Sequence, residues 1–283
     1  MSTLKQRRAI LVTGANKGIG FHIVKKLLND DVDSVILLGT RDLTRGQNAL
    51  DNLGNPSNVH LLQLDMSSTE SIQQAVEEIK TKYPNQLDVV INNAGINLQE
   101  LTIEAARTTF AVNYYGIKQL NELLQPLINE NARIVNVSSQ LGPMVLDQVS
   151  KDLQEKYTSS SLTIEQLDQL VEEFISAIET NTLADVGYYC QSFHPIYGIS
   201  KAALNALTQI EACQWSTTKN LLIVSVSPGY CATDMTQNSA TARSPELGAD
   251  SILHAVNTPR DQLVNGGFYR DGMQLPLISK SSS

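Results

Sequence analysis

Seven short runs of apolar residues recur along the 283-residue chain, separated by longer segments of mixed polarity. The runs are apolar at consecutive positions, a pattern typical of strands that are covered on both faces. They occupy residues 10–13, 34–39, 59–64, 88–92, 133–138, 221–227 and 267–269. Each run is therefore predicted to be a strand of a parallel sheet.

Most of the intervening segments have apolar residues three and four positions apart, which places them on one face of a helix. The predicted helices span residues 19–29, 43–52, 69–83, 103–128, 196–218 and 245–257. The alternation of strand and helix predicts an α/β fold, a doubly wound parallel sheet with helices on both faces. No linker-like or repetitive tract divides the sequence, so residues 1–283 are expected to form one domain.

Residues 142–192 interrupt this alternation, because they add chain without a strand-like run. Thr163 with Gln166 three positions later is a typical capping box at the start of a helix. An apolar stripe at helical spacing follows, and we expect it to pack on the body of the domain. The stripe of this predicted helical insertion consists of Ile164, Leu167, Leu170, Val171, Phe174, Ile175 and Ile178.

Composition and charge narrow the range of partners. A hydrophobic content of 42% is sufficient for a full core, and the net charge of −8 argues against a nucleic-acid or anionic-membrane surface. The three cysteines lack paired metal-ligand spacing and are typical of free thiols in a reducing compartment, so no metal is expected. No apolar run is long enough for a signal peptide or a membrane span, which predicts a cytoplasmic location.

The first predicted strand is followed by a glycine-rich turn that opens the first predicted helix. Glycines let the backbone approach a diphosphate closely, and the free amides at the start of a helix favour an anion. Strand, turn and helix in this order are the context that a dinucleotide-binding loop requires. The cofactor contacts expected from this turn are Gly14, Asn16, Lys17, Gly18, Ile19 and Gly20.

The end of the second predicted strand indicates which dinucleotide is bound. An acidic residue there would hold a ribose 2′-hydroxyl and select NAD, whereas this chain has Arg41, with Arg45 one turn later. Together with Lys17, these cations suit a 2′-phosphate, which predicts NADP(H). The alternative is a solvated basic edge that Asp42 neutralises.

The ends of the third and fourth predicted strands are also expected to meet the cofactor. The carboxylate of Asp65 would accept a hydrogen bond from the adenine amine; alternatively, it caps the following helix. After the fourth strand, consecutive asparagines have amides that can tie neighbouring strand ends together, which is chiefly a structural role. The residues expected to line the cleft from these two strand ends are Asp65, Met66, Asn92, Ala94 and Gly95.

Four residues have the chemistry of a carbonyl-reducing centre. Tyr197 and Lys201 are four positions apart, so the phenol and the ammonium lie on one face of a helix. This spacing alone is common on helices. However, Ser139 ends the fifth strand at the carboxyl edge of the sheet, where ligands bind in this architecture, and Asn113 lies on an earlier helix. Tyr197 would be the proton donor and Lys201 its activator. Ser139 would supply a hydroxyl that polarises a carbonyl group, and Asn113 would take part in a relay.

These motifs resemble the classical short-chain dehydrogenases/reductases, and more narrowly the monomeric NADPH-dependent carbonyl reductases. The resemblance covers almost the whole chain and includes the basic residues after the second strand. The segment between Ser139 and Tyr197 resembles the helical insertion of the carbonyl reductases, which covers the surface that other members use to oligomerise. The matching positions are Thr13, Gly14, Gly18, Gly20, residues 92–95, Asn113, Ser139, Tyr197, Lys201, Pro228, Gly229 and Thr233.

The resemblance implies a Rossmann-type fold, a monomer, and reduction of ketones, aldehydes or quinones by NADPH. Ser139 would stabilise the negative charge on the reacting oxygen, and Tyr197 would supply the proton. Lys201 would favour the phenolate and hold the nicotinamide ribose, while Asn113 would position a water. Ser138 is left with a packing role. Pro228, Gly229 and Thr233 would lie on the nicotinamide side.

Four residues beside these motifs are candidates for the substrate wall, and ordinary packing is an equally good interpretation of them. They are Gln140, Leu141, Tyr230 and Met235.

Three other functions are compatible with the fold. The first is the reverse reaction, oxidation of an alcohol with NADP+. The second is a nucleotide-binding scaffold without turnover, which the presence of Ser139, Tyr197 and Lys201 argues against. The third is an extended sugar-nucleotide epimerase, which fits poorly because little chain follows the sixth strand.

Overall fold

The computed structural model describes residues 7–30, 33–189 and 194–279, and its named strands form one sheet. The strand order is β3-β2-β1-β4-β5-β6-β7-β8, and neighbouring strands are parallel except for β7 and β8. Strand order reverses between β1 and β4, which is the position where this architecture binds ligands. The strands are β1 Ala9–Val12, β2 Val35–Thr40, β3 Val59–Gln63, β4 Leu87–Asn92, β5 Arg133–Val137, β6 Leu222–Val226, β7 Phe268–Arg270 and β8 Met273–Leu275.

Helices cover both faces of this sheet, as the sequence predicts. One apolar layer packs α1, α2 and α10 on the sheet, and the other packs α3, α4, α5, α8 and α9. Every residue of β1 and β2 is buried because both faces are covered. The helices are α1 Gly18–Asp30, α2 Leu43–Asn52, α3 Thr69–Lys82, α4 Ile103–Phe110, α5 Gly116–Leu124, α6 Leu141–Leu146, α7 Lys151–Thr158, α8 Ile164–Glu179, α9 Pro195–Lys219 and α10 Pro245–Asn257.

The predicted helix at 103–128 is not continuous. A π-helical turn at Ala111–Tyr115 separates α4 from α5. The break adjoins a close tertiary contact, since a Cβ on Gly116 would clash with the carbonyl oxygen of Met66. Such turns are common at functional sites, and this one contains Asn113.

The chain also has an eighth strand that the apolar pattern did not predict. β7 and β8 are joined by Asp271 and Gly272, with φ angles of 49° and 82°. Two residues with positive φ are typical of a type I′ hairpin turn, and Asp-Gly is a preferred sequence for it. The hairpin places Arg270 at the carboxyl end of β7.

The insertion is helical, as predicted, and contains α7 and α8. The predicted capping box is present, since Thr163 and Gln166 each accept a hydrogen bond from the other's backbone N–H. Phe174 on α8 is fully buried, with its ring 5.9 Å from that of Phe110 and 4.8 Å from that of Tyr188. α8 therefore packs against α4 and α9. The last predicted insertion residues, 190–192, lie outside the described residues.

A search of the helices in the described ranges finds no span both long and apolar enough to cross a bilayer.

Candidate active site

The glycine-rich turn between β1 and α1 is held against the end of β4. Gly14 and Gly18 have φ angles of 63° and 55°, and a Cβ on Gly14 would lie 2.9 Å from the Cα of Ala94. The side chain of Asn93 donates hydrogen bonds to the carbonyl oxygens of Thr13 and Gly14, at 2.9 and 3.2 Å. Glycine is therefore required by both backbone conformation and close approach. The turn is preorganised for a ligand at the start of α1.

The side chain of Asn92 points into the protein. It is fully buried, and its amide nitrogen lies 2.8 Å from the side-chain oxygens of both Asn121 and Asn136. The prediction that Asn92 lines the cleft is therefore wrong for its side chain. Consecutive residues near a strand end point to opposite sides, and Asn93 is the one that holds the glycine turn.

A cleft of about 350 Å³ lies between the glycine turn and α2. Lys17 Nζ lies 2.5 Å from Asp234 Oδ2, and Arg45 Nε lies 3.3 Å from Asp42 Oδ2. Arg41 is exposed and is not among the residues that surround this cleft in the described chain. Two of the three predicted cations thus meet here, each beside an acidic residue. The cleft is lined by Asn16, Lys17, Arg45, Asn48, Ala49, Asn52 and Asp234.

Asp65 forms a local turn at the end of β3. Its Oδ1 accepts hydrogen bonds from the backbone N–H and hydroxyl of Ser67, at 2.9 and 2.7 Å. The residue that caps α3 is Ser68, so the capping alternative for Asp65 is wrong. The neighbouring Met66 is buried. The adenine contact expected of Asp65 and Met66 stays a prediction.

Ser139 and Tyr197 are brought together by the close packing of α6 on α9. A Cβ on Gly198 would clash with the Cγ2 methyl of Val145, so the two helices approach more closely than a larger residue would allow. Ser139 lies between β5 and α6, and its side chain is close enough to the Tyr197 phenol to interact with it. The hydroxyl and the phenol that were predicted to act on one oxygen are therefore adjacent.

Ser138 has a different environment from its neighbour. It is buried, and its hydroxyl donates a hydrogen bond to the backbone carbonyl of Lys201 at 3.2 Å. Ser139 is partly exposed instead. The geometry is consistent with the packing role expected of Ser138 and leaves Ser139 as the hydroxyl beside Tyr197.

Lys201 is buried beneath the Tyr197 ring. Its Nζ lies 5.6 Å from the ring centroid and donates a 2.8 Å hydrogen bond to the carbonyl oxygen of Val137. Burial lowers the pKa of Lys201 to about 7.

The pKa of Tyr197 is not lowered by this neighbour, contrary to the expectation from the sequence. Burial raises the pKa of Tyr197 to about 12, while the hydrogen bond with Ser139 acts in the opposite direction. The desolvation of the phenol outweighs any help from Lys201, whose amine is itself largely desolvated and turned to a backbone carbonyl. The phenol is thus held protonated at neutral pH.

Asn113 links three elements around the buried lysine. Its side chain exchanges two 2.9 Å hydrogen bonds with the backbone of Ile96 and donates a third, of 3.0 Å, to Ser200 Oγ. A Cβ on Gly95 would lie 3.4 Å from Asn113 Oδ1 and 3.5 Å from Lys201 Nζ. The structure therefore brings Asn113 and Lys201 to the same glycine. The water that Asn113 is expected to position next to Lys201 stays a prediction.

The segment that follows β6 lies beside the glycine turn. A Cβ on Gly18 would lie 3.4 Å from the Thr233 methyl group, so the glycine turn and this segment are neighbours. Ile19 and Pro228 both adjoin Gly248, since a Cβ there would lie 3.4 Å from each of them. Gly20 has no room for a side chain, because a Cβ there would lie 2.6 Å from the carbonyl oxygen of Gly14.

The four candidate substrate residues lie on two elements. Gln140 and Leu141 are partly buried at the start of α6, whereas Tyr230 and Met235 are exposed after β6, at 56% and 38%. The structure places all four on segments that follow the carboxyl ends of β5 and β6. Their contact with substrate stays a prediction.

Arg270, at the carboxyl edge of the sheet, is a residue of the site that the sequence did not predict. Arg270 donates a short hydrogen bond from Nη1 to the side-chain oxygen of Gln140, next to Ser139. Its Nη2 would lie 3.3 Å from a Cβ on Gly229. The Asp-Gly turn that follows Arg270 is the signal that would have placed it at a hairpin end.

Comparisons with known proteins give consistent results. The model of the family described as short chain dehydrogenase matches residues 8–173. (+)-Neomenthol dehydrogenase of Capsicum annuum is 32% identical, with 93% of this chain and 96% of the relative covered. Carbonyl reductase [NADPH] 1 of Homo sapiens is 33% identical over 89% of this chain and 91% of its own.

Among solved structures, salutaridine reductase from Papaver somniferum is similar at 30% identity, with a TM-score of 0.82 and coverage of 93% of this chain and 99% of that one. Menthone neomenthol reductase from Mentha piperita has 27% identity and a TM-score of 0.77, with 93% and 98% covered. Because the family model matches more than half of the sequence and these relatives span nearly all of it, the chain belongs to the short chain dehydrogenase family.

Proposed function

We propose that the protein reduces a ketone, aldehyde or quinone to an alcohol with NADPH, and that Tyr197 donates the proton. One observation carries this proposal: the Tyr197 phenol adjoins the Ser139 hydroxyl, and the buried amine of Lys201 lies 5.6 Å from the centroid of its ring. These groups lie at the carboxyl edge of the sheet, which also carries the glycine turn. Carbonyl reductases that use NADPH, by their names, are 33% identical to the chain.

The residues present fit NADPH. The glycine turn leaves no room for side chains where a diphosphate would lie, and α1 starts directly behind it. Lys17 and Arg45 line a cleft beside this turn and would hold the 2′-phosphate, which supports NADPH over NADH. Thr233 adjoins Gly18 and would contact the nicotinamide end. When bound, NADPH supplies the hydride.

The protein's own groups stabilise the oxygen that becomes negative. Ser139 and Tyr197 would each donate a hydrogen bond to it, and these bonds strengthen as charge develops. Because the pKa of Tyr197 is raised to about 12, the phenol holds its proton at neutral pH and can transfer it to the oxygen. Lys201 would bind the ribose and pass a proton to Tyr197, and a water positioned by Asn113 would link Lys201 to the solvent that supplies this proton.

Oxidation of an alcohol is the competing direction for the same residues. It requires Tyr197 to accept a proton as the phenolate, and a pKa of about 12 makes that form rare near neutrality. Net direction is set by the cofactor ratio and the substrate, and we assign reduction because the chain is similar to carbonyl reductases that use NADPH by their names.

The proposal is tested by NADPH consumption with a panel of quinones, aromatic ketones and aldehydes. We expect turnover with part of the panel and much slower turnover with NADH. With NADPH deuterated at C4 in either configuration, one of the two isomers should place one deuterium on the carbinol carbon of a ketone product. Turnover confined to NADP+ and alcohols would favour the competing direction, and no turnover with any of them would contradict the proposal.

A further inference from the structure

We infer that Arg270, held in place by Gln140, binds a carboxylate of the carbonyl substrate and so determines specificity. This inference rests on the proposed function. It assigns the substrate class as a carbonyl compound that carries an anionic group, with the charge close to the reacting carbonyl.

The register of the sheet places Arg270 at the reacting edge. Val137 on β5 pairs with Val226 on β6, which in turn pairs with Tyr269 on β7. Arg270 is therefore level with Ser138, two strands away. Because neighbouring strands are about 4.8 Å apart, the backbones of the two residues are separated by about 10 Å. Its side chain spans this gap, because its Nη1 reaches the side chain of Gln140.

The path of the side chain crosses the end of β6. Nη2 of Arg270 would lie 3.3 Å from a Cβ on Gly229, so a side chain at this position would crowd the guanidinium. Gly229 also has a φ of 79°, which disfavours any larger residue. The guanidinium consequently lies between the segment after Ser139 and the segment that leads to Tyr230.

The side chains of Arg243, Arg270 and Asp271 form one group with a net charge of plus one. Arg243 donates two hydrogen bonds from Nη1 to the carboxylate of Asp271, at 2.9 and 2.8 Å. Arg270 approaches the same carboxylate with Nε, at 3.2 Å. Two guanidinium groups thus share one carboxylate. An anionic ligand group would balance the second cation in a protein whose net charge is −8.

Arg270 also has donors available. Nη1 donates to Gln140 and Nε to Asp271, whereas Nη2 has no hydrogen-bond acceptor among the residues that the structure describes. The side chain is 34% exposed, so a ligand can reach it. Two exposed apolar side chains lie on the segments that Arg270 adjoins: Met144 comes one turn after Gln140, and Tyr230 follows Gly229. These apolar side chains, together with the Nη2 donor of Arg270, fit an aromatic keto acid.

The test compares two keto acids with their neutral methyl esters. The pairs are 4-acetylbenzoate and methyl 4-acetylbenzoate, and phenylglyoxylate and methyl phenylglyoxylate, assayed by NADPH consumption. For wild type we expect kcat/KM of at least one acid to exceed that of its ester by tenfold or more. Arg270→Gln should lower this acid-to-ester ratio at least tenfold. Arg270→Lys should retain part of it, because the charge is kept but the planar fork is lost.

Arg107→Gln is the matched control, since it removes one exposed guanidinium of α4 and should leave the acid-to-ester ratio unchanged. An acid-to-ester ratio near one in wild type, or a ratio that Arg270→Gln leaves intact, would overturn the inference. Failure of wild type to reduce any carbonyl compound would instead count against the proposed function.

If the Arg270 variants do not fold, a measurement on the wild-type protein tests the same inference. Benzoate should inhibit reduction of a neutral ketone at a concentration at least tenfold lower than benzamide, because only benzoate offers a charge to Arg270. Equal inhibition by the two compounds would overturn the inference.

Discussion

At the scale of single residues, the two cations beside the glycine turn already have acidic partners. Lys17 faces Asp234 and Arg45 faces Asp42, so a bound phosphate has to compete with a carboxylate for each. All four side chains are more than a third exposed, which weakens both ion pairs. A dianionic phosphate held by several donors at once can therefore displace them.

Arg45→Ala should lower the preference for NADPH over NADH. A hydrogen bond to a charged group contributes about 1.5–3 kcal/mol, so we expect a loss of about ten- to a hundredfold in the ratio of kcat/KM values. Arg41→Ala is the matched control and should have a smaller effect, because Arg41 does not line the cleft in the described chain. An unchanged ratio in Arg45→Ala would contradict the assignment of this cleft to the 2′-phosphate.

The residue types of the site are predictable from the sequence, but their orientations are not. Asn92 and Asn93 are identical neighbours, and so are Ser138 and Ser139, so only the exact end of each strand decides which one faces the cleft. The pKa of Tyr197 is also outside the reach of sequence, because it depends on how completely the phenol is buried.

At the scale of elements, α9 carries Tyr197 and Lys201 and also contributes a buried carboxyl group. Glu211 is fully buried and accepts a hydrogen bond from the Asn121 amide at 2.9 Å. This contact connects α9 to the amides of Asn92 and Asn136 at the ends of β4 and β5. The helix that holds Tyr197 and Lys201 is thus tied to the sheet by buried polar groups.

Glu211→Gln should make stability less dependent on pH. Burial raises the pKa of Glu211 well above 4.5, so in the folded protein it keeps a proton that the unfolded chain releases near pH 4.5. Stability contributed by the protonated form is complete below that pH and is lost as pH rises toward the folded pKa. The variant should therefore gain in Tm relative to wild type as pH increases from about 5 to about 8.

The control for this prediction is Glu179→Gln, which removes an exposed carboxylate at the end of α8. Its Tm difference from wild type should not vary with pH. A Tm difference for Glu211→Gln that is equally constant would contradict a raised pKa for Glu211.

The helices and strands can be predicted from the sequence where a local pattern determines them. The prediction fails where a contact with a distant part of the chain determines the structure. The apolar runs predict seven strands that the structure contains, because burial on both faces leaves a clear pattern. The π turn at Ala111–Tyr115 adjoins the close approach of Gly116 to Met66, which no local pattern reveals. β8 is too short and too exposed to appear as an apolar run, although the Asp-Gly sequence of the turn before it is typical of a hairpin.

At the scale of the whole molecule, α8 covers a surface formed by α4 and α9. Leu167, Val171 and Phe174 are fully buried in this contact layer. The sequence predicts the helix and its apolar stripe, but only the structure shows which helices it covers. We propose that this coverage keeps the chain monomeric, because it occupies a face that would otherwise be free for a second copy.

Sizing by light scattering should give one species near 31 kDa between about 1 and 100 µM, in agreement with a chain mass of 31.0 kDa. The coverage of α4 and α9 by α8 is the reason for this expectation. A stable species of twice this mass across the whole concentration range would contradict it.

The measurement that tests the central claim most directly is the rate of carbonyl reduction by Tyr197→Phe, with NADPH binding measured in parallel. Tyr83→Phe is the matched control, since it removes a phenol at the end of α3. We predict that Tyr197→Phe loses at least a hundredfold in kcat while its Kd for NADPH changes little, because the variant loses the phenol's proton and hydrogen bond but keeps the ring. Tyr83→Phe should match wild type. Reduction by Tyr197→Phe at the wild-type rate would contradict the role of Tyr197 as the proton donor.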